Sequence, residues 1–88
     1  MQVQTIAINT IIPYEKNAKL HPAEQVIKVA ASIKRFGWAQ PLVVDKENNL
    51  IIGHCRLLAA KSLGFEEVPV VKMGSLSEKE IKALRLAD

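Results

Sequence analysis

The pattern of apolar and polar residues predicts short strands and helices that follow one another along the chain. Residues 5–8 alternate polar and apolar positions with a period of two, which is typical of a strand. Short apolar runs predict three further strands, at Leu42–Val44, Leu50–Ile52 and 68–71. Because the polar turn residues 46–49 separate the first two of these runs, we expect the two runs to pair as a β-hairpin.

Three other segments have the 3.6-residue spacing of helices that bury one face. The first covers about 22–37, and the second covers 54–63. The third follows Ser77, whose spacing to Glu80 is that of a capping box. Segment 9–19 has no clear period and is expected to be a loop. The resulting order, β-α-β-β-α-β-α, predicts an α+β fold with a small mixed sheet, a β-hairpin and about three helices.

Composition and charge are those of a globular domain. The 88 residues, of which 49% are hydrophobic, suit a single domain, 1–88, and are too apolar for a disordered segment. The lone cysteine excludes a disulfide scaffold, and no leader or membrane-spanning run is visible, so we expect a cytoplasmic protein. The net charge of +3 favours anionic partners only weakly. Because the last helix reaches Asp88 without a C-terminal cap signal, we expect a fragment of a longer chain.

The junction at Gly53, where a predicted strand turns into a helix, is the strongest candidate for a binding site. The first amides of a helix have no partner within the helix, and the aligned peptide dipoles add a partial positive charge there. Glycine allows another group to approach the backbone closely. Arg56 lies in the first turn and can present two parallel donors to a phosphate. The alternative is an ordinary turn, in which Gly53 supplies only its φ angle and Arg56 is solvated.

Two further residues of this turn, His54 and Cys55, are candidate catalytic groups. A thiol in the first turn of a helix tends to have a lowered pKa, which would make Cys55 reactive. The alternative is a small buried side chain, the commoner role of a free cysteine. His54 could act as an acid or base, a phosphate donor or a polar cap. The residues His21, His54 and Cys55 are too few to predict a metal site.

Three stretches resemble the ParB N-terminal domain. Residues 32–44 match a pattern of Ser-Ile, then Gly, then Gln-Pro before β-branched residues. Residues 50–60 resemble the box Ile-x-Gly-Glu-x-Arg-x-x-Ala-Ala, and residues 63–70 resemble a closing Leu-Gly, Val-Pro-Val strand. These motifs occur in the same order and with similar spacing. The chain therefore resembles the ParB/sulfiredoxin superfamily from about Ile6 to Asp88.

This resemblance implies a nucleotide-binding fold, which uses CTP and magnesium in ParB proteins and ATP in sulfiredoxins. The implied nucleotide site contains Ser32, Gln40, Pro41, Gly53, His54, Cys55 and Arg56. Within this site, the resemblance implies that Gly53 and Arg56 hold the phosphates and that Ser32 faces the nucleotide. It also implies that Gln40 and Pro41 line the base or ribose side.

The chain departs from both families within the central box. His54 replaces the acidic residue of ParB proteins, and Cys55 replaces their first arginine. The sulfiredoxin box reads Gly-Cys-His-Arg, so that its cysteine lies one position before Cys55. One helical residue rotates a side chain by about 100°, so we do not expect sulfiredoxin chemistry at Cys55. Gly53–Arg56 and the final Arg-Leu-Ala-Asp are closer to a phage or prophage subgroup with Gly-His-Thr-Arg, which often precedes a DNA methyltransferase.

We therefore predict a CTP- or ATP-binding ParB-like module of a DNA-associated protein, with magnesium as an accompanying ion. One alternative is an enzyme, either a ParB-like nuclease or a sulfiredoxin-like phosphotransferase. Another is a DNA- or partner-binding domain with a vestigial pocket. Because the basic residues are scattered and no helix-turn-helix is visible, we expect DNA contact through a C-terminal region, a fused domain or a homodimer.

Overall fold

A four-stranded mixed sheet forms the centre of the domain. The computed structural model describes residues 2–18 and 21–88. The strands are β1 (Gln4–Ala7), β2 (Leu42–Val44), β3 (Leu50–Ile52) and β4 (Glu67–Lys72), in the spatial order β1-β4-β2-β3. Strands β2 and β4 run parallel, whereas the other two pairs are antiparallel. The predicted α+β fold with a mixed sheet and a hairpin is confirmed.

In the part of the chain that the structure describes, four α-helices accompany this sheet. They are α1 (Glu15–Ala18), α2 (Ala23–Phe36), α3 (His54–Ser62) and α4 (Glu78–Ala87). The last three confirm the helices predicted from the spacing of apolar residues. The capping box of Ser77 and Glu80 is also present, with both of its hydrogen bonds formed. Among the described residues, no helix is long and apolar enough to cross a membrane.

The first part of the chain differs from the prediction in two places. Ile8 belongs to a short 3-10 helix, Ile8–Thr10, and not to the strand, because pairing with β4 ends where Ala7 meets Glu67. The segment expected to be a loop contains α1. The Asn17 backbone amide in this helix donates to the Tyr14 carbonyl, and the Asn17 side chain is buried. A single turn of helix is too short to produce a repeating apolar pattern. The end of that predicted loop, at Lys19, lies outside the described residues.

The apolar core lies on both sides of α3. One cluster joins the sheet to this helix and contains Ile11, Leu42, Val44, Leu50, Leu57, Ala60, Val68 and Val70. A second cluster, of Ala30, Ile33 and Ala59, joins α2 to α3, and Trp38 packs against both clusters. Five of the nine residues of α3 are buried, so its orientation is set by packing on two faces. The core thereby fixes the first turn of α3 relative to β3.

The hairpin turn holds β3 in register. The Asp45 carboxylate accepts hydrogen bonds from the backbone amides of Glu47 and Asn49, each at 2.8 Å. Asn48 takes the positive φ of 65° that the turn requires, as expected for an asparagine in this turn. Opposite this turn, the Leu50 amide donates to the Ile12 carbonyl at 2.8 Å, which covers the outer edge of β3. The start of the short strand is therefore fixed by the turn and by Ile12, and the chain leaves β3 at Gly53.

Candidate functional site

Glycine at position 53 is required by both conformation and space. Gly53 has φ 107° and ψ 29°, a left-handed conformation that residues with a Cβ rarely adopt. A Cβ at this position would lie 2.5 Å from Leu42 Cδ2 and 3.0 Å from Arg56 Nη2. Leu42 is fully buried and cannot move aside without disturbing the core. The junction therefore presents the backbone at the start of α3 without a side chain in front of it.

An anionic group occupies this helix start, and it belongs to the chain itself. The Gly53 amide donates to Oδ1 of Asp88 at 2.8 Å, and the His54 amide donates to Oδ2 at 3.1 Å. The His54 ring adds a third contact, from Nδ1 to Oδ2 at 2.6 Å. The carboxylate thus receives three hydrogen bonds at the positive end of the α3 dipole, where a negative group is stabilised.

His54 is held between two other segments and is only 1% exposed. Its Nε2 accepts a hydrogen bond from the Tyr14 backbone amide at 3.1 Å. Since a backbone amide can only donate, Nε2 carries no proton, and the proton lies on Nδ1 and faces Asp88. Both ring nitrogens are therefore engaged. In this arrangement His54 is a positioning residue, because neither nitrogen is free to take a proton from a substrate.

The Asp88 carboxyl is strongly stabilised in its charged form. Burial alone would raise its pKa, but the hydrogen bonds from the His54 ring and from the Gly53 and His54 amides outweigh burial and lower the pKa to about 2. The Asp88 side chain is 9% exposed. At neutral pH the start of α3 therefore holds a full negative charge.

The opposite side of the first α3 turn forms a small pocket of about 220 Å³. Ser32, Gln40 and Arg56 line it. The Arg56 guanidinium donates from Nη1 to Gln40 Oε1 at 2.9 Å and from Nη2 to the Pro41 carbonyl at 3.3 Å, whereas its buried Nε has no partner. The structure therefore brings Ser32, Gln40, Pro41 and Arg56 together, and their role in binding a nucleotide stays a prediction. Arg56 does not bond to Asp88.

The predicted site residues thus divide between two sides of one helical turn. His54 and Arg56 are two positions apart, which corresponds to about 200° around a helix, so their side chains point in opposite directions. His54 faces Asp88 and the segment that contains Tyr14. Arg56 faces Gln40 and α2. The backbone at Gly53 borders both sides, since its amide donates to Asp88 and an added Cβ would lie 3.0 Å from Arg56 Nη2.

Cys55 is a buried thiol with 8% exposure. Burial raises its pKa, and the nearby Asp88 charge raises it further, while Arg56 lowers it by a smaller amount. Both leading causes disfavour the thiolate, which is the reactive form of cysteine. Its position in the first turn of α3 does not produce the lowered pKa that a free helix start would, because a carboxylate already occupies that start. A catalytic role for Cys55 stays a prediction that this environment does not favour.

The comparisons with known proteins are consistent with this architecture. A family model described as the ParB N-terminal domain matches residues 1–87. This chain belongs to the ParB N-terminal domain family. The ParB-like nuclease domain-containing protein YnaK of Escherichia coli (strain K12) is 37% identical over 73 residues, which cover 83% of this chain and 84% of that protein.

Two solved structures share the fold of this ParB domain. The C-terminally truncated chromosome-partitioning protein ParB from Caulobacter crescentus, complexed with CTP-gamma-S, has a TM-score of 0.85 at 18% identity. Sulfiredoxin from Arabidopsis thaliana has a TM-score of 0.78 at 14% identity. The match to the Caulobacter protein covers 98% of this chain and 51% of the Caulobacter chain. The match to sulfiredoxin covers 96% of this chain and 97% of the sulfiredoxin chain. The ParB domain thus spans about half the length of the solved Caulobacter chain.

Asp88, Tyr14, Asn17 and Arg85 join the site in this ParB domain although sequence reasoning did not assign them to it. The Arg85 guanidinium donates to the Leu50 carbonyl at 3.1 Å and lies 4.2 Å from the centre of the Tyr14 ring. The Asn17 side chain donates to the Arg85 carbonyl at 2.8 Å. For Arg85 and Asp88 the sequence offered one signal, the Arg-Leu-Ala-Asp motif of residues 85–88, which matched a family pattern. Among residues 2–18 and 21–88, no group of three or more His, Cys, Asp or Glu side chains is placed to hold a metal ion.

Proposed function

We propose that this ParB domain binds a nucleoside triphosphate, CTP or ATP, with its phosphates at the start of α3. One observation carries the proposal. The amides of Gly53 and His54 already hold an oxyanion, the Asp88 carboxylate, with both of its oxygens engaged. Backbone amides at a helix start bind phosphate oxygens through the same donors and the same dipole. A phosphate in this position would replace that carboxylate.

The pocket on the other side of α3 supports a nucleotide and not an isolated phosphate. Arg56 has an unpartnered buried Nε, and its Nη2 lies beside Gly53. A modest rotation of the guanidinium would turn its donors towards a phosphate group next to Gly53. Gln40 and Ser32, which line the pocket beside Arg56, would then face the ribose or the base. The Caulobacter relative complexed with CTP-gamma-S has the same fold, which is consistent with this assignment.

Magnesium enters the proposal only as the counter-ion of the nucleotide. The described residues offer no cluster of carboxylates that would hold the ion without the phosphates. Magnesium usually binds through one or two carboxylates together with substrate phosphates. A bound ion would neutralise part of the phosphate charge. This role requires no catalytic residue in the protein.

The direct test is isothermal titration calorimetry with CTP, ATP, GTP and UTP, each with and without magnesium. Arg56→Ala should weaken nucleotide binding by about 1.5–3 kcal/mol, the range for hydrogen bonds to charged groups. Arg56→Lys should recover only part of this loss, because the planar fork is absent. Lys61→Ala is the matched control, since it removes an exposed positive charge at the other end of α3. Failure of all four nucleotides to bind would refute the proposal.

The enzymatic alternatives, a nuclease or a phosphotransferase, need turnover as well as binding. The relative from Escherichia coli carries the words nuclease domain in its name, which motivates a nuclease assay on this chain. We expect no rate above background, because His54 has both nitrogens engaged and Cys55 is a buried thiol. Cleavage of DNA, or transfer of phosphate, that is lost in His54→Gln or Cys55→Ser would reverse this preference.

We also propose that the domain serves a DNA-associated protein but binds DNA weakly by itself. Basic side chains on α2, α3 and α4 are interrupted by acidic ones, and the net charge is only +3. Affinity for DNA rises with the number of phosphates neutralised at once, so few contacts mean a dissociation constant of about 10⁻⁴ M at physiological salt. A salt titration on duplex DNA tests this value. Submicromolar, sequence-selective binding by the 88 residues would instead favour a domain that reads DNA directly.

A further inference from the structure

The chain covers one outer edge of the sheet and leaves the other open. At the β3 edge, the Leu50 amide donates to the Ile12 carbonyl at 2.8 Å, and the Ile12 amide donates to the Asn48 carbonyl at 2.9 Å. Strand β1 forms the opposite edge, next to β4. Among residues 2–18 and 21–88, no segment pairs with the outer side of β1. This side of the sheet therefore presents unpaired backbone.

A proline in β4 determines which backbone groups of β1 point outward. Thr5 lies opposite Pro69, which has no amide to donate, so these two residues form a pair without hydrogen bonds in the antiparallel ladder. The bonded pairs are then those of the neighbours of Thr5, Gln4 and Ile6. The amide and the carbonyl of Thr5 therefore point away from β4.

Two hydrogen bonds support this alternation. The Ile8 amide, two positions after Ile6, donates to the Glu66 carbonyl at 2.9 Å on the side that β4 occupies. The Ala7 carbonyl points to the other side, where it accepts from the Thr10 hydroxyl at 2.6 Å. The outward amides and carbonyls thus belong to the odd-numbered positions, and Thr10 occupies the last of these carbonyls.

The open edge lacks the residues that usually deter pairing with another chain. Edge strands are commonly protected by charged side chains, proline or a bulge. Residues 2–12 contain no charged residue and no proline, although 24% of the chain is charged. The pairing of β1 with β4 has no register shift, and Val3 beside it is 59% exposed. The edge is therefore suited to the addition of a further strand.

We propose that the outer edge of β1 is an interface with a second copy of this chain, in which two β1 strands pair antiparallel about a two-fold axis at Thr5. The two Thr5 residues then exchange both of their backbone hydrogen bonds. Each Ala7 amide donates to the Val3 carbonyl of the other copy, which gives about four bonds in all. The Thr10 hydroxyl on the Ala7 carbonyl ends the ladder.

A second copy fits this edge because the strand is uncharged and its outward groups are symmetric about Thr5. A two-fold axis places a residue on the axis opposite its own counterpart, so that a charge there would face the same charge. Paired threonines are instead favourable across antiparallel strands. The same axis joins the two sheets into one, with both α3 helices on the same face. This inference does not depend on nucleotide binding.

Sedimentation equilibrium of the 88-residue chain tests the pairing. The natural chain should pass from monomer to dimer as its concentration rises to about 1 mM, because a short edge supplies few hydrogen bonds. Thr5→Pro removes the outward amide, which proline is allowed to lack at an edge, and should weaken the dimer at least about tenfold. Circular dichroism of each variant verifies that the monomer keeps its fold.

A charge exchange at the two-fold axis makes the test specific. Thr5→Lys and Thr5→Glu should each stay monomeric, because like charges would lie directly opposite each other, and a mixture of the two should dimerise. A variant that had lost its fold would not be rescued in this way. Ala31→Lys is the matched control, since it adds the same positive charge at an exposed position of α2 and should leave the dimer unchanged.

Amide hydrogen exchange locates the interface. Protection of the Thr5 amide should increase with the concentration of the chain, whereas the Gln4 amide, which pairs with β4, should be protected at every concentration. Three results would overturn the proposal. They are a chain that stays monomeric at about 1 mM, a dimer that persists in both Thr5→Pro and Thr5→Lys, and a Thr5 amide already protected in the monomer. A monomeric chain whose Thr5 amide is protected by a synthetic strand peptide would assign the edge to another protein.

Discussion

Helices α3 and α4 meet at the site, where Asp88 at the end of α4 contacts the start of α3, but they are held in opposite ways. Five residues of α3 are buried, and it packs against the sheet on one side and against α2 on the other. No residue of α4 is buried, and its last turn is attached through Arg85 and Asp88. One helix is therefore part of the core, and the other lies on the surface, held by the partly buried Ile81 and Leu84 and by polar contacts of its last turn.

This difference assigns separate tasks to the two helices. Because α3 cannot shift without disturbing the core, the N–H groups of its first backbone amides keep a fixed position and direction. Helix α4 has no buried residue, yet its end places the Asp88 carboxylate at that point, where it accepts hydrogen bonds from the Gly53 and His54 amides. The site thus combines donors on a helix of the core with an acceptor at the end of a surface helix. The following substitutions test the contrast, beginning with the largest effect.

A pair of matched leucine truncations should separate the two helices most clearly. Leu57→Ala in α3 removes a side chain that is 1% exposed and should lower the free energy of unfolding by about 2–5 kcal/mol. Leu86→Ala in α4 removes one that is 89% exposed and should change it by less than about 0.5 kcal/mol. Urea denaturation of both variants measures the difference. Similar losses in the two variants would mean that α4 belongs to the core.

The second prediction concerns the backbone at the start of α3. Gly53→Ala combines a positive φ with a clash against Leu42 and should cost about 2–4 kcal/mol. Gly64→Ala is the control, since Gly64 also has a positive φ, of 79°, but nothing lies within 4 Å of an added Cβ. It should cost only about 1–2 kcal/mol from the positive φ. Equal losses in urea denaturation would show that Leu42 moves aside easily.

The contrast between the helices also shows what the sequence can predict. The periodicity was sufficient for all four strands and the three longer helices, because packing against a core leaves a repeating pattern. The position of Gly53 between β3 and α3 was also predictable, since a glycine between an apolar strand and a helix is a local signal. Asp88 was not assigned to the site, because its partners Gly53 and His54 lie 35 and 34 residues earlier. Contacts between such distant polar groups leave no periodic trace in one sequence.

The prediction of His54 as a catalytic residue illustrates the same limit. From the sequence, its position after Gly53 allowed several roles, and the structure places its ring between Asp88 and the Tyr14 amide. Tyr14 is 40 residues away and belongs to a segment without a clear pattern. Roles that depend on a backbone amide are especially hard to foresee, because every residue except proline has one.

The third prediction is a pH dependence of the Asp88 contribution. Its pKa is lowered to about 2, because the hydrogen bonds from His54 and Gly53 outweigh the opposing effect of burial. A lowered pKa stabilises the folded state above the unfolded value of about 3.9, and this stabilisation is lost as the pH falls through about 2. Asp88→Ala should therefore cost about 1–2 kcal/mol at pH 7, after allowance for solvent screening, and almost nothing at pH 2.

Thermal unfolding of the natural chain and of Asp88→Ala between pH 7 and pH 2 checks this dependence. The two curves should be separated at neutral pH, should begin to approach each other below about pH 4, and should meet near pH 2. Glu78→Gln, which changes the same charge without a hydrogen bond to α3, should run parallel to the natural chain. A constant difference at every pH would mean that Asp88 acts through packing and not through its charge.

The smallest expected effect concerns Cys55, whose thiol lies close enough to Asp88 at the end of α4 for that charge to affect its pKa. Burial raises the pKa of this thiol, and the Asp88 charge raises it further. Alkylation by iodoacetamide at pH 8 should therefore be at least about tenfold slower than for an exposed thiol, since only the thiolate reacts. Asp88→Asn should increase the rate a few-fold. Full reactivity in urea provides the reference for complete exposure.

The pH profile of alkylation separates the two ways in which Asp88→Asn could act. Loss of the charge favours the thiolate and moves the midpoint of the profile to lower pH, with the same maximum rate. Loss of the docked turn exposes the sulfur and raises the maximum rate, with little change in the midpoint. We expect both changes, because Asp88 supplies the charge and also holds the end of α4. An unchanged profile would show that α4 neither shields Cys55 nor acts on it electrostatically, and α3 would then be independent of its neighbour.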